Sequence, residues 1–123
     1  MKPHIFNFQI AYADTDAGGI VYHARYIEIA ERARMNMFEN VKDPDGGFVI
    51  RELSIKYLKP LRLGDKFSVK TRFAGGSAAS RKLEQIFVKD GIEHAVMTGT
   101  AVYVNRDIKP ARIPDVWLKY LKE

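Results

Sequence analysis

Residues 22–37 read YHARYIEIAERARMNM, and this stretch decides the fold because it carries the long helical pattern of the chain. Apolar residues recur there at offsets of 4, 7, 8, 11 and 15 from the first, which places them on one face of an α-helix. They are Tyr22, Tyr26, Ile29, Ala30, Ala33 and Met37. We predict one long helix that begins near Tyr22 and ends before the turn-forming run at residues 43–47.

The remaining segments are patterned mainly as strands. One strand is predicted over residues 5–12, and four follow the helix, over residues 48–58, 67–73, 81–89 and 92–104. Asp90-Gly91 is typical of a two-residue hairpin turn, so the last two strands should be antiparallel neighbours. We predict an α+β fold in which a five-stranded antiparallel sheet wraps around one long central helix. A short C-terminal helix is expected within residues 114–123.

The composition is that of a globular domain. The chain has 123 residues, 46% of them hydrophobic and 28% charged, so we expect a single domain over residues 1–123. Charges interrupt every apolar run, which argues against a membrane span. The N-terminus lacks the apolar core of a secretory signal, and a cytoplasmic location is therefore expected. The absence of cysteine excludes disulfides, thiolate metal sites and a cysteine nucleophile.

The charge balance favours anionic partners. Lys and Arg exceed Asp and Glu by five, for a formal net charge of +5. The basic residues are spread along the chain and lack an aromatic–basic motif, so we expect no nucleic-acid partner. The last strand carries apolar residues on both faces, with Val96, Val102 and Val104 opposite Ala95 and Met97. This predicts at least a homodimer that buries the second face.

The turn before the helix could carry chemistry. Its sequence runs from a strand through Asp14, Asp16 and Gly18-Gly19 into the helix. The first amides of a helix have no intrahelical acceptor and lie at the positive end of the macrodipole. A carboxylate beside such amides suits acyl transfer. The carboxylate attacks the carbonyl carbon or activates water, and the amides stabilise the oxyanion. The alternative is that both aspartates only form the turn.

Other catalytic motifs are missing. The three histidines have no metal-ligand spacing, and no serine lies in a nucleophile-elbow context. Gly75-Gly76-Ser77 lacks the Gly-Lys-Ser/Thr of a phosphate-binding loop. We expect no metal and no cofactor.

Residues 14–23, DTDAGGIVYH, together with Tyr26 and residues 31–34, closely resemble the 4-hydroxybenzoyl-CoA thioesterase family of hotdog-fold enzymes. Within that family they resemble the acyl-CoA thioesterase branch associated with the bacterial Tol-Pal system. Residues 57–65, YLKPLRLGD, match a turn shared by many hotdog proteins. The resemblance extends from Ile5 to about Asn105. It implies the hotdog fold, dimers with active sites at their interface, and a homotetramer formed from two such dimers.

The resemblance also assigns residues. It implies that Asp16 is the catalytic carboxylate, as nucleophile or general base on the thioester of an acyl-CoA substrate. The backbone N–H of His23 would hold the thioester oxygen, and the His23 side chain would orient substrate or water. Four residues within or just before this motif are assigned to substrate binding, namely Tyr12, Gly19, Val21 and Tyr22; core packing is the alternative for at least one of the two tyrosines. The CoA phosphates suggest basic residues at the pocket mouth, with Arg81 and Lys82 first and Lys59 and Arg62 behind them.

The function predicted is metal-free hydrolysis of a short- or medium-chain or aromatic acyl-CoA to the free acid and CoA. The acyl group and the choice between a mixed anhydride and activated water stay open. The alternative of a different class is a non-catalytic acyl-CoA-binding hotdog module, because the same fold serves several functions.

Overall fold

The computed structural model describes residues 3–121 and shows one sheet and two helices. The strands are β1 (His4–Gln9), β2 (Gly46–Tyr57), β3 (Lys66–Ala74), β4 (Ser80–Lys89) and β5 (Ile92–Asn105). The helices are α1 (Arg25–Met37) and the short α2 (Asp115–Leu118), and a 3₁₀ turn covers Tyr12–Asp14. The predicted α+β fold is confirmed.

All strand pairs are antiparallel, and the sheet order is β1-β3-β4-β5-β2. The β4–β5 hairpin turns at Asp90 and Gly91, whose φ angles of 51° and 76° are those a type I′ turn requires. β1 and β2 form the two edges. β2 follows α1 in sequence yet lies at the far edge, so the connection carries the chain across the sheet.

The long helix packs on one face of the sheet through its apolar stripe. Tyr26, Ile29, Ala30 and Ala33 are buried, as the helical period predicts. Opposite them lie the inward-facing residues of the middle strands, among them Val69, Leu83, Phe87, Met97 and Ala101. Burial of these apolar surfaces stabilises the fold and fixes the position of α1 over the sheet.

A hydrogen-bonded group of polar side chains lies in the core under the helix. Gln85 on β4 is fully buried, and its Nε2 donates to the Ala30 backbone oxygen and to Thr71 Oγ1, each at 2.9 Å. Its Oε1 accepts a 2.7 Å hydrogen bond from Arg34 Nη1. The buried amide is thus satisfied on both sides, which a core position requires.

The predicted helix start near Tyr22 is wrong by three residues. The Tyr22 N–H donates to the Asp14 oxygen at 3.1 Å, and the Arg25 N–H donates to the Tyr22 oxygen at 2.8 Å. Tyr22 is therefore held in a turn before α1, and 51% of it is exposed. Its spacing matched the helical stripe, but the contact with Asp14 determines its conformation.

The sequence analysis expected a partner chain to cover the apolar residues on the second face of β5, and the structure corrects this for two of them. Val102 and Val104 are only 8% and 6% exposed in the single chain. The segment after β5 folds back, so that Val104 forms a bridge with Pro110 and the Ala111 N–H donates to Tyr103. These two valines therefore do not require a partner chain.

The C-terminal helix is fastened by a carboxylate from the loop before β2. Asp43 Oδ2 accepts a 2.9 Å hydrogen bond from Trp117 Nε1 and a second bond from the Tyr103 hydroxyl. Burial and the Asp43 carboxylate raise the pKa of Tyr103 to about 12. Of the predicted segment 114–123, residues 122 and 123 lie outside the described residues. Within residues 3–121, no helix is both long enough and apolar enough to cross a bilayer.

Candidate active site

Asp16 lies in a tight turn between the 3₁₀ turn and α1. Its backbone N–H donates to the Ile20 oxygen at 2.9 Å, and the Gly19 N–H donates to the Asp16 oxygen at 3.0 Å. Asp16 Oδ1 accepts a 2.8 Å hydrogen bond from the Gly18 N–H. Gly19 has a φ of +78°, which explains why glycine suits that position. The side chain is exposed, and within residues 3–121 its Oδ2 has no hydrogen-bond partner.

Asp14, two residues earlier, has a structural role. It is buried, and its Oδ2 accepts a 2.8 Å hydrogen bond from the Ala11 N–H. Its Oδ1 lies 3.5 Å from Arg25 Nε, at the first turn of α1. The two aspartates are therefore distinct, since Asp14 holds the turn together and Asp16 presents a carboxylate to solvent.

The segment between Asp16 and the helix is fixed by the loop after β2. The Val21 N–H donates to the Leu61 oxygen at 2.8 Å, and Ile20 forms a bridge with Arg62. Tyr57, at the end of β2, donates from its hydroxyl to the His23 backbone oxygen at 2.9 Å. In the described chain, the N–H groups of His23 and Ala24 donate to no protein acceptor.

A cavity of about 390 Å³ joins these groups. Its walls are formed by Asp16, Ile20, Val21, His23, Tyr26, Tyr57, Leu58, Lys59 and Pro60. The carboxylate, the helix start and one lysine thus face the same space. The volume lies in the range of small-molecule sites, about 300–1,000 Å³.

Two tyrosines of this cavity were not assigned from sequence. Tyr26 is buried, and its hydroxyl accepts a 3.4 Å hydrogen bond from the Leu61 N–H. Burial raises the pKa of both Tyr26 and Tyr57, so both hydroxyls remain protonated donors at neutral pH. Tyr57 begins the YLKPLRLGD motif, which was the available signal for it.

The structure brings together part of the predicted set. Asp16, Val21, His23 and Lys59 line the same cavity. Four further predicted residues belong to the segments around the Asp16 cavity but do not line the cavity. Gly19 belongs to the Asp16 turn, the Tyr22 ring lies 4.5 Å from the His23 ring, Arg62 pairs with Ile20, and Tyr12 is 82% exposed on the 3₁₀ turn.

Arg81 and Lys82 lie elsewhere in the chain. Arg81 Nη1 donates to the backbone oxygens of Ser77 and Ser80, within its own loop. Lys82 lines a separate cavity of about 280 Å³ with Glu52 and Thr100. Lys82 pairs with Thr100, whereas Tyr57 pairs with Ala95, five residues earlier on β5. That separation is about 17 Å along the strand.

Titratable side chains of the described residues form no cluster of three or more that could hold a metal ion. His4 is hydrogen-bonded to Asn36 at 2.9 Å, and His94 is buried with its Nδ1 unpaired in residues 3–121. The polar side chains that line the Asp16 cavity are those of Asp16, His23, Tyr26, Tyr57 and Lys59.

A family comparison agrees with this geometry. The model of the thioesterase-like superfamily matches residues 10–121, which include every residue lining the Asp16 cavity. The chain belongs to the thioesterase-like superfamily.

Individual members of the superfamily resemble the chain over most of its length. The acyl-CoA thioesterase YbgC of Haemophilus influenzae is 30% identical over 118 residues, covering 89% of this chain and 87% of that protein. The acyl-CoA thioester hydrolase YbgC of Escherichia coli O6:H1 is 33% identical over 87 residues. That match covers 65% of each chain, so it spans just under two thirds of the E. coli protein.

A solved structure shows the same fold. A hypothetical protein from Aquifex aeolicus superposes with a TM-score of 0.88 at 27% identity, covering 98% of this chain and 100% of that one. The predicted hotdog-type architecture is thereby confirmed for this member of the superfamily.

Proposed function

We propose that this chain is an acyl-CoA thioesterase that hydrolyses the thioester at Asp16. The observation that carries the proposal is one cavity holding both reactive elements. Asp16 contributes a carboxylate oxygen with no hydrogen-bond partner among residues 3–121, and His23, which lines the same cavity, contributes a backbone N–H just before α1 that donates to no acceptor in the described chain. The names of the YbgC relatives support the same reaction class.

The reaction follows from these groups in one of two ways. In the first, Asp16 removes a proton from water as the water oxygen attacks the thioester carbon. In the second, Asp16 attacks directly, and water later hydrolyses the mixed anhydride. In both routes the C–S bond breaks, the sulfur leaves as thiolate and takes up a proton, and the products are the free acid and CoA.

The start of α1 stabilises the negative charge that develops on the carbonyl oxygen of the thioester. An amide that is fixed before the reaction needs little reorganisation when the oxyanion forms, and the macrodipole favours the negative charge. We assign this role to the His23 N–H, and we assign substrate or water orientation to its side chain. The bond from the Tyr57 hydroxyl to the His23 oxygen holds the next peptide, between His23 and Ala24, and so supports the position of His23.

The substrate-binding residues are ranked by their place in the structure. Lys59 lines the cavity and Arg62 is paired to its wall, so these two are proposed for the CoA phosphates. Arg81 and Lys82 contribute only in an assembly in which a second chain brings them to the cavity. Tyr12, Gly19, Val21 and Tyr22 are proposed to shape the acyl end.

We propose at least a homodimer, assembled into a homotetramer. β2 is an edge strand with unpaired backbone groups along its free side. Apolar side chains are exposed at the end of this strand, with Tyr57 at 48% and Leu58 at 53%, and Ile27 on α1 is 41% exposed. Light scattering coupled to size exclusion tests the assembly. We also propose that the protein is cytoplasmic. We further propose that it belongs to the 4-hydroxybenzoyl-CoA thioesterase family, in the branch associated with the Tol-Pal system.

The function is tested by thiol release from short-, medium- and long-chain and benzoyl-type acyl-CoAs, with Asp16→Asn measured beside the wild type. Turnover that collapses in the variant is expected. The second candidate, a non-catalytic acyl-CoA-binding module, is favoured by the Asp16–Gly18 bond, because that bond gives Asp16 a turn-forming role. Binding of acyl-CoA without turnover would establish the binding module instead.

A further inference from the structure

Arg25, the first residue of α1, joins the helix to the segment just before Asp16. Its Nη2 donates a 2.7 Å hydrogen bond to the Ala13 backbone oxygen, and its Nε lies 3.5 Å from Asp14 Oδ1. Its Nη1 donates a 3.0 Å hydrogen bond to Glu28 Oε2, one turn along the helix. One guanidinium therefore fastens Ala13 and Asp14 to the first turn of α1.

Residues 14–22 form a small closed hairpin, which we call the Asp16 hairpin. Three backbone contacts close it, and they join Asp16 to Ile20, Thr15 to Val21 and Asp14 to Tyr22. Asp16 lies at the tip, where its backbone oxygen accepts a hydrogen bond from the Gly19 N–H. Because every one of these contacts lies within the hairpin, the hairpin forms one unit, and its position depends on its attachments.

The two strands of the Asp16 hairpin are attached at different places. The exit strand, at Ile20 and Val21, is held by the loop after β2. The entry strand, at Asp14, is held to α1 by Arg25. Two attachments on opposite strands leave a hairpin less freedom to rotate than one attachment does. Arg25 therefore fixes the orientation of Asp16 relative to the start of α1.

Arginine suits this attachment because its planar guanidinium donates in several fixed directions at once. The inward contacts of Arg25 are better shielded than the outward one, since 11% of the Asp14 side chain is exposed, against 59% of the Glu28 side chain. Water and salt weaken an exposed ion pair more than a shielded one. The contacts with Ala13 and Asp14 therefore hold the hairpin, and the contact with Glu28 contributes little.

We propose that Arg25 is a positioning residue that sets the Asp16 carboxylate at its working distance from the His23 N–H. The inference rests on the proposed thioesterase activity, in which the carboxylate acts at the thioester carbon and the amide binds the thioester oxygen. Arg25 does not line the Asp16 cavity, so it acts through the Ala13 oxygen and not on the substrate. A displacement of about 1 Å at the reacting groups lowers a rate by about 100-fold. Loss of the Arg25 contact should therefore lower kcat and leave KM nearly unchanged.

Arg25→Lys tests the positioning role separately from stability. Lysine keeps a positive charge beside Asp14, but its single ammonium group lacks the fork that also reaches the Ala13 oxygen. We expect kcat to fall by about 10- to 100-fold, KM to change by less than about twofold and the melting temperature to stay near that of the wild type. Arg32→Lys, at an exposed position of the same helix, is the matched control and should change none of these values. Wild-type kcat in Arg25→Lys would overturn the proposal.

Asp14→Asn shows which of the two inward contacts carries the effect. The variant weakens the ion pair with Arg25 and leaves the bond from Arg25 to the Ala13 oxygen in place. Its melting temperature should fall, while kcat per folded molecule should stay within about threefold of the wild-type value. A kcat as low as that of Arg25→Lys would overturn the assignment of the effect to the Ala13 contact.

Amide hydrogen exchange tests the contact without any turnover. The Asp16 and Tyr22 N–H groups close the hairpin, and both should exchange at least about tenfold faster in Arg25→Lys than in the wild type. The Ile29 N–H, in the middle of α1, is the internal reference and should not change. Unchanged exchange at Asp16 and Tyr22 would refute the role of Arg25. If the wild type hydrolyses no acyl-CoA, the proposed activity fails, and the exchange rates still decide whether Arg25 holds the hairpin.

Discussion

The Tyr57 hydroxyl donates a 2.9 Å hydrogen bond to the backbone oxygen of His23 and so joins the end of β2 to the start of α1. The two residues are 34 positions apart, and both line the cavity of Asp16. The contact fixes the peptide between His23 and Ala24, which adjoins the His23 N–H that we propose as the oxyanion donor. A change at β2 should therefore affect catalysis without touching the carboxylate.

Tyr57→Phe tests this relationship. The variant loses one partly exposed hydrogen bond, so its stability should fall by about 1 kcal/mol or less. We expect kcat to fall by about tenfold with little change in KM, because orientation of the oxyanion donor matters most in the transition state. Steady-state kinetics and thermal melting check both expectations. A higher KM at unchanged kcat would instead assign Tyr57 to substrate binding.

Asp16→Asn removes the proposed nucleophile or base and keeps the side-chain oxygen that accepts from Gly18. We expect kcat to fall by about 10²- to 10⁴-fold with an unchanged melting temperature. Asp14→Asn is the matched control, two residues away. It weakens the buried pairing with Arg25, so its main effect should be a lower melting temperature. Near wild-type turnover of Asp16→Asn would contradict the catalytic assignment.

His23→Ala removes an exposed ring that packs beside the ring of Tyr22. The backbone N–H remains, so we expect a fall in kcat of about tenfold, smaller than that of Asp16→Asn. Thiol release from the best acyl-CoA measures the loss. A loss as large as that of Asp16→Asn would give the imidazole a primary role in the reaction.

The Asp43 carboxylate should make stability depend on pH in the acid range. Hydrogen bonds from Tyr103 and Trp117 hold the pKa of Asp43 below its usual value, against the opposing effect of burial. A lowered pKa in the folded state stabilises the fold above the unfolded pKa, and this contribution is lost as pH falls through the folded value. The loss should therefore begin at about pH 4.

Urea unfolding of the wild type and Asp43→Asn at neutral and acid pH measures this contribution. The midpoint of the variant should be lower at neutral pH, and the gap should close below about pH 4. Asp45→Asn is the control, since Asp45 is exposed and lies 3.9 Å from Arg106 at the surface. A gap that is constant with pH would show that the carboxylate charge does not stabilise α2.

The sequence by itself determined the helix, the strands and the turn that contains Asp16. Alternation with period two and the helical period over residues 22–37 are properties of neighbouring residues, and they predict strands and a helix before any tertiary contact is known. The same holds for Asp16 with Gly18-Gly19, since the turn is closed by bonds between residues two to four positions apart. Local patterns were sufficient because the interactions are local.

Only the tertiary structure decided which distant residues meet. The helix α1 begins at Arg25 and not at the predicted Tyr22, because the Tyr22 N–H is bonded to Asp14. Lys59 lines the Asp16 cavity, whereas Lys82 lines a separate one. Arg34 meets Gln85 across 51 positions, and Asp43 meets Trp117 across 74. Such pairs depend on strand order and on the packing of α1 over the sheet, which no local period of the sequence contains.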